Sequence, residues 1–138
     1  EIDLNPVEDK SLKTETVSIE NLSILVVEDN EINMEVIEFM LQSEGAIVYK
    51  AKNGKEAVEQ FGQIKNLDLI LMDLMMPIMD GYDATLQIRK KDKKIPILAM
   101  SANAYMQDIQ KCYKAGMNGH ISKPLYLEDL KNRIIQIV

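Results

Sequence analysis

Five short apolar runs alternate with five helical patterns along most of this chain, and that alternation constrains the fold more than any other feature. The runs are Ser23–Val27, Ala46–Ala51, Leu67–Met72, Pro96–Met100 and Gly119–Ile121. Ser23–Val27 is continuous and rich in β-branched residues, as a strand covered on both faces should be. Asn30 caps the first helix, which reaches Ser43 with Ile32, Val36, Ile37, Met40 and Leu41 at helical spacing and Gly45 as its stop. Asn53-Gly54 turns into a second helix to about Gln63, with Ala57, Val58 and Phe61 facing in. A loop from Leu74 to Gly81 precedes a third, from Tyr82 to Lys91. The fourth runs from Tyr105 to Gly116, and the last covers Leu127–Val138 with Leu127, Leu130, Ile134 and Ile137 on one stripe. Strict β-α alternation with short connections predicts an α/β fold, a parallel sheet sandwiched by helices.

The polar residues at the ends of these runs fall where such a sheet binds ligands, beyond the carboxyl ends of its strands. Glu28-Asp29 follow the first run, Asp73 the third, Ser101 the fourth and Ser122-Lys123-Pro124 the fifth. Taken singly, each has a plainer explanation. Acids complement a helix N-terminus, serine caps helices, and lysine is ordinarily a surface residue. Four of them at one edge describe a site for a divalent cation and a phosphoryl group. A carboxylate nucleophile such as Asp73 needs no general base, but it does need a cation to approach a phosphoryl oxygen. Mg²⁺ suits that role because it prefers hard oxygen ligands and retains water. Glu28 and Asp29 are placed to hold it. Lys123 and Ser101 supply an ammonium and a hydroxyl for the charge on the phosphoryl oxygens.

The ordered motifs Val-Val-Glu28-Asp29-Asn30, Leu-Met-Asp73-Leu-Met-Met-Pro77-Ile-Met-Asp80-Gly81, Ala-Met-Ser101-Ala102 and Ser122-Lys123-Pro124 resemble the receiver domain of two-component response regulators. The resemblance runs from about Leu22 to Val138. It implies a flavodoxin-like, doubly wound sheet of five parallel strands in the order 2-1-3-4-5, with helices on both faces. It implies Asp73 as phosphoacceptor, with Glu28, Asp29, Asp73 and the backbone carbonyl of Met75 as ligands for Mg²⁺, or Mn²⁺ as a substitute. Ser101 matches the switch hydroxyl. Lys123 matches the lysine that pairs with acceptor and phosphate, and a cis bond to Pro124 follows by analogy. The frequent Asp-Asp pair is here Glu-Asp. The usual aromatic switch position carries His120, an imidazole that could make the switch pH-sensitive or could simply be packed or solvated.

The motifs Glu28-Asp29-Asn30-Glu31-Ile32-Asn33, Met76-Pro77-Ile78-Met79-Asp80-Gly81-Tyr82 and Ser101-Ala-Asn-Ala look like receivers of hybrid sensor histidine kinases. So do Lys111-Cys112 and Ala115-Gly116-Met117, which favours such a kinase's receiver over a free-standing regulator. The chain's only histidine lies inside the fold, so the phosphohistidine donor, a kinase or a histidine phosphotransfer protein, lies elsewhere. The output would be a downstream protein or the parent kinase domains. The resemblance implies a module that catalyses its own phosphorylation and dephosphorylation, not a turnover enzyme by itself. Rivals are a Mg²⁺-dependent aspartyl-phosphate phosphatase and a phosphorylation-independent interaction module. The first is disfavoured because Met75 stands where a second acid would act, the second because Asp73 and Lys123 are both kept. A flavin protein of this fold would need a glycine- or hydroxyl-rich phosphate loop after the first strand.

Residues 1–20 read as an acidic linker or tail, and residues 21–138 as the receiver domain. That leading segment holds six acids and two bases, so it carries −4 of the net −6. Nucleic-acid binding is correspondingly disfavoured, and the basic run Arg89, Lys90, Lys91, Lys93, Lys94 reads as a solvated helix end. Glu at position 1 fits a piece of something longer. No apolar run approaches the roughly 18 residues of a membrane span, so no membrane contact is expected of this domain. A single cysteine, Cys112, points to a reducing cytoplasm, with any membrane anchor in a parent chain. On a helix it reads as packing, not redox sensing. Ala104 and Tyr105 open the fourth helix, a docking face by resemblance, and Asn103 flanks the pocket with Met75.

Overall fold

The computed structural model describes residues 18–102 and 105–138. Asn103 and Ala104 lie outside the described residues, as does the leading segment up to residue 17. The strands are β1 (Ser23–Val27), β2 (Ile47–Ala51), β3 (Leu69–Asp73), β4 (Ile97–Ser101) and β5 (Gly119–Ser122). The helices are α1 (Glu31–Ser43), α2 (Gly54–Gln63), α3 (Gly81–Lys91), α4 (Met106–Ala115) and α5 (Leu127–Ile137). All strand pairs are parallel, in the order β2-β1-β3-β4-β5. This is the doubly wound sheet the alternation calls for.

Side chains alternate across the sheet, so each central strand feeds two cores. Leu25, Val27, Ile70, Met72, Ile97 and Ala99 pack with Ala57 of α2, Ala84 and Ile88 of α3 and Cys112 of α4. Ile24, Val26, Leu69, Leu71, Leu98 and Met100 pack with Met34, Ile37 and Leu41 of α1 and Leu130 and Ile134 of α5. Burying each such aliphatic side chain is worth roughly 1.5–3 kcal/mol, which is why β1, β3 and β4 are nearly uninterrupted in apolar residues.

Side-chain caps start three helices. Asn30, Asn53 and Asp80 each accept a bond from the amide three residues on, Asn33, Glu56 and Asp83. The left-handed backbone at Gly116, φ +107°, ends α4.

Three details differ from the pattern reading. On α1, Ile32 and Val36 do not face the core; they are 71% and 51% exposed, whereas Met34, Ile37 and Leu41 are buried. The third strand starts at Leu69, not Leu67, because the Asp68 carboxylate accepts from the Ser23 amide at 2.8 Å and so closes the strand's lower end. Ile19, counted with the leading segment, is fully buried with the α1–α5 core, so packing reaches past the 20/21 boundary.

Candidate functional site

Register alone brings the polar strand ends together. Val27 of β1 pairs with Met72 of β3, so Glu28 and Asp73 each stand one residue beyond a shared row. Asp73 pairs with Met100, and Ser101 with Ser122, which carries the edge across β4 to β5 and Lys123. Neighbouring strands lie about 4.8 Å apart, so these strand ends stand side by side. Two backbone bonds hold the edge: Glu28 N–H donates to the Ala51 carbonyl at 3.1 Å and Lys123 N–H to the Ser101 carbonyl at 2.7 Å.

Glu28, Asp29 and Asp73 each offer a carboxylate oxygen, and these atoms lie within 4.8 Å of one another. Glu28 and Asp73 are buried, 2% and 4% exposed, while Asp29 faces solvent. Lys123 Nζ bridges the buried two, donating to Glu28 Oε1 at 2.8 Å and Asp73 Oδ2 at 3.3 Å. The Met75 amide donates to Asp73 Oδ1 at 3.3 Å, which brings the backbone of that residue to the site. The Lys123–Pro124 peptide bond is cis. Gly81 lets α3 begin against β3, because a Cβ there would collide with the Asp73 carbonyl oxygen.

The electrostatics follow from crowding. Burial and the Glu28 charge push the Asp73 carboxyl up to about 6, while Lys123 and the Met75 amide pull the other way. For Lys123, burial disfavours the ammonium, but the bond to Glu28 and the charges of Asp73 and Glu28 outweigh it and hold the group above the usual lysine range. Three hard oxygen donors with excess negative charge fit a divalent cation such as Mg²⁺. They do not fit a soft metal, which would want sulfur or nitrogen.

Ser101 is also at this edge, and it touches His120, which stands two residues down β5 as the register partner of Ala99. Ser101 Oγ lies 2.9 Å from His120 Nε2, with both residues buried. The sequence placed the two residues on neighbouring strands but gave no sign of this bond, because it depends on side-chain direction. Cys112 is fully buried, and burial pushes its thiol up, as packing rather than redox chemistry requires.

The response regulator receiver domain profile matches residues 24–135. Among curated relatives, a probable histidine kinase of rice, Oryza sativa subsp. japonica, is 34% identical across 84% of this chain. Hybrid signal transduction histidine kinase G of Dictyostelium discoideum is 40% identical across 83% of it. The match covers only 14% of the rice protein and 3% of the Dictyostelium one. Among solved structures, the receiver domain of a Pseudomonas aeruginosa sensor histidine kinase matches with TM-score 0.78 and 39% identity, over 85% of this chain and 97% of that one. That domain was crystallised with a magnesium ion in its active-site cleft. A Saccharomyces cerevisiae response-regulator receiver, in complex with a histidine phosphotransfer protein, matches with TM-score 0.80 and 31% identity, over 86% and 89% of the two chains. With its parallel sheet in the order 2-1-3-4-5 and a matching profile over most of its length, the chain belongs to the response regulator receiver domains of two-component signalling.

Proposed function

We propose that this domain takes a phosphoryl group from a phosphohistidine onto Asp73, with Mg²⁺, and thereby switches a protein-docking face. The observation that carries this is the convergence of Glu28, Asp29 and Asp73 oxygens within 4.8 Å, with Lys123 Nζ bound to two of the three residues. The magnesium ion in the Pseudomonas aeruginosa relative supports the cation, and the phosphotransfer protein bound to the yeast relative supports the donor class.

In the transfer, an Asp73 carboxylate oxygen forms the bond to phosphorus as the bond from phosphorus to the donor imidazole nitrogen breaks. The electron pair stays on that nitrogen. A carboxyl with a pKa of about 6 is mostly ionised at neutral pH, so Asp73 needs no base. Mg²⁺, when bound, would supply positive charge that offsets repulsion between the carboxylate and the incoming phosphoryl oxygens. Glu28, Asp29 and the Met75 carbonyl would join Asp73 in holding it. Lys123 turns its ammonium from the resting carboxylates to the new phosphoryl oxygens, and Ser101 donates its hydroxyl to another. Ser101 and His120 then form the switch. Water attack later releases phosphate and restores the carboxylate.

Residues 1–18 serve as linker and the remainder, whose packing begins at Ile19, as the receiver of a larger histidine kinase, placed in the cytoplasm. Among the described residues no helix is long and apolar enough to cross a membrane. Intact mass after acetyl phosphate and Mg²⁺ tests the acceptor: wild type should gain one labile phosphate, and Asp73→Asn none. No gain from acetyl phosphate or from a phosphohistidine donor would leave the interaction-module reading. Lys123→Ala should still accept phosphate, more slowly, but fail to dock its partner. Full partner binding by the phosphorylated variant would contradict this.

A further inference from the structure

Between β3 and α3 the chain carries Met75, Met76, Ile78 and Met79 on one loop, and the fold sorts them. Met76 and Met79 pack against the core, whereas Met75 and Ile78 point outward, 77% and 79% exposed. Both feet of the loop stand at the acid edge. Leu74 N–H donates to the Met100 carbonyl at 3.1 Å, and Gly81 N–H to the Leu74 carbonyl at 3.1 Å. Gly54 N–H donates to the Met79 carbonyl at 2.9 Å, so the start of α2 braces the loop from the side. Ile78 is thus held on a fixed support at the rim of the Asp73 site. The backbone turns there in a way that isoleucine resists. Its φ is +70°, and Met79 N–H reaches back to the Pro77 carbonyl at 2.7 Å. That is the positive-φ form of the γ-turn, which is strained. A β-branched side chain is an outlier in that region, and glycine is the residue that fits. The fold gains little in return, since most of the side chain lies in solvent. Strain kept at an exposed position beside a reactive group points to use, not to stability.

We propose that Ile78 is a specificity-determining residue for the protein donor: its side chain is an apolar anchor that enters an apolar hollow beside the donor's phosphohistidine. This rests on the phosphoacceptor reading above and names how the donor is recognised. The occupant follows from position. A protein that brings a phosphohistidine to Asp73 covers the mouth that this loop borders, and Ile78 then leaves water. The acids of the mouth do not supply that attraction. Glu28 and Asp73 are buried and bound to Lys123, and Asp29 faces the cation site. A small donor such as acetyl phosphate has no surface to offer Ile78, so the anchor matters to a protein donor alone.

Two donors separate recognition from chemistry. One is acetyl phosphate with Mg²⁺. The other is the Saccharomyces cerevisiae histidine phosphotransfer protein, phosphorylated with phosphoramidate and then freed of it. Ile78→Gly and Ile78→Asn both suit a positive φ, and both remove the anchor. They should accept from acetyl phosphate within about twofold of wild type, but from the protein donor roughly tenfold more slowly, the scale of one buried aliphatic side chain. The loss should appear in the half-saturating donor concentration and not in the limiting rate. Ile78→Leu, which keeps an aliphatic end, should recover most of it. Ile78→Gly should also melt no lower than wild type, because the strain leaves with the side chain. Equal transfer from the protein donor to wild type and all three variants would overturn the proposal. So would slowing with both donors alike, or a lower melting temperature in Ile78→Gly. Wild type that accepts from acetyl phosphate but not from the protein donor would overturn the anchor and leave Asp73 in its role. Acceptance from neither donor would instead bring down the phosphoacceptor reading, and the anchor with it.

Discussion

Asp73 shows how a single carboxyl can be set against the stability of its own fold. Its folded-state pKa, about 6 against the ordinary 3.8, is raised chiefly by burial and then by Glu28. Between those values the folded protein binds more protons than the unfolded chain, so stability falls as pH rises through that window. The charge therefore costs stability at neutral pH and costs nothing well below 3.8. Asp73→Asn should stabilise the ion-free domain at pH 7.5 by roughly 1–2 kcal/mol, a figure reduced from the full shift because the substitution also removes the carboxylate that Lys123 Nζ binds. Urea denaturation at pH 7.5 and at pH 3.5 checks it; an equal advantage at both would refute the electrostatic account. Gly81 makes the complementary case, a residue whose value is what it lacks. Gly81→Ala should cost roughly 1–3 kcal/mol through its clash with the Asp73 carbonyl, read as a lower melting temperature. Sequence made the acids, Ser101 and Lys123 legible because their types and their strand-end positions both pointed to one edge. It could not reveal why Gly81 matters or that Ser101 meets His120, because both depend on packing at the ångström scale.

At the scale of elements, strands proved easier to place than helix faces. Central strands are buried on both sides, so a run of apolar residues suffices to mark them, and only their ends moved. α1 carries two apolar stripes. Met34, Ile37 and Leu41 face the core, while Ile32, Val36 and Phe39 face outward, Phe39 at 74% exposure. Both sets satisfy helical spacing, so periodicity could not choose between them. Substitution can. Ile37→Ala should cost roughly 2–5 kcal/mol, whereas Phe39→Ser should fall within about 0.5 kcal/mol of wild type. Comparable losses at the two positions in chemical denaturation would mean that the outward stripe is packed after all.

For the molecule as a whole, cation binding and folding should be linked. An ion that binds only the folded form, at a hundred times its dissociation constant, stabilises by roughly 2.7 kcal/mol. Wild type should therefore melt at a higher temperature in Mg²⁺, reversibly with chelator, and Asp29→Asn should respond far less. Asp29 is suited to this test because it is exposed, so its substitution disturbs little else. A wild-type melting temperature indifferent to millimolar Mg²⁺ would dismiss the cation. The direction in which the sheet is strung matters too. Ile19 is tucked under the body, and the Asn21 amide is bonded to the Gly45 carbonyl at 2.9 Å, where β1 begins. Glu28 lies at the other end of that strand. The described chain thus enters the sheet at its base, the full length of β1 away from the edge that carries the acids.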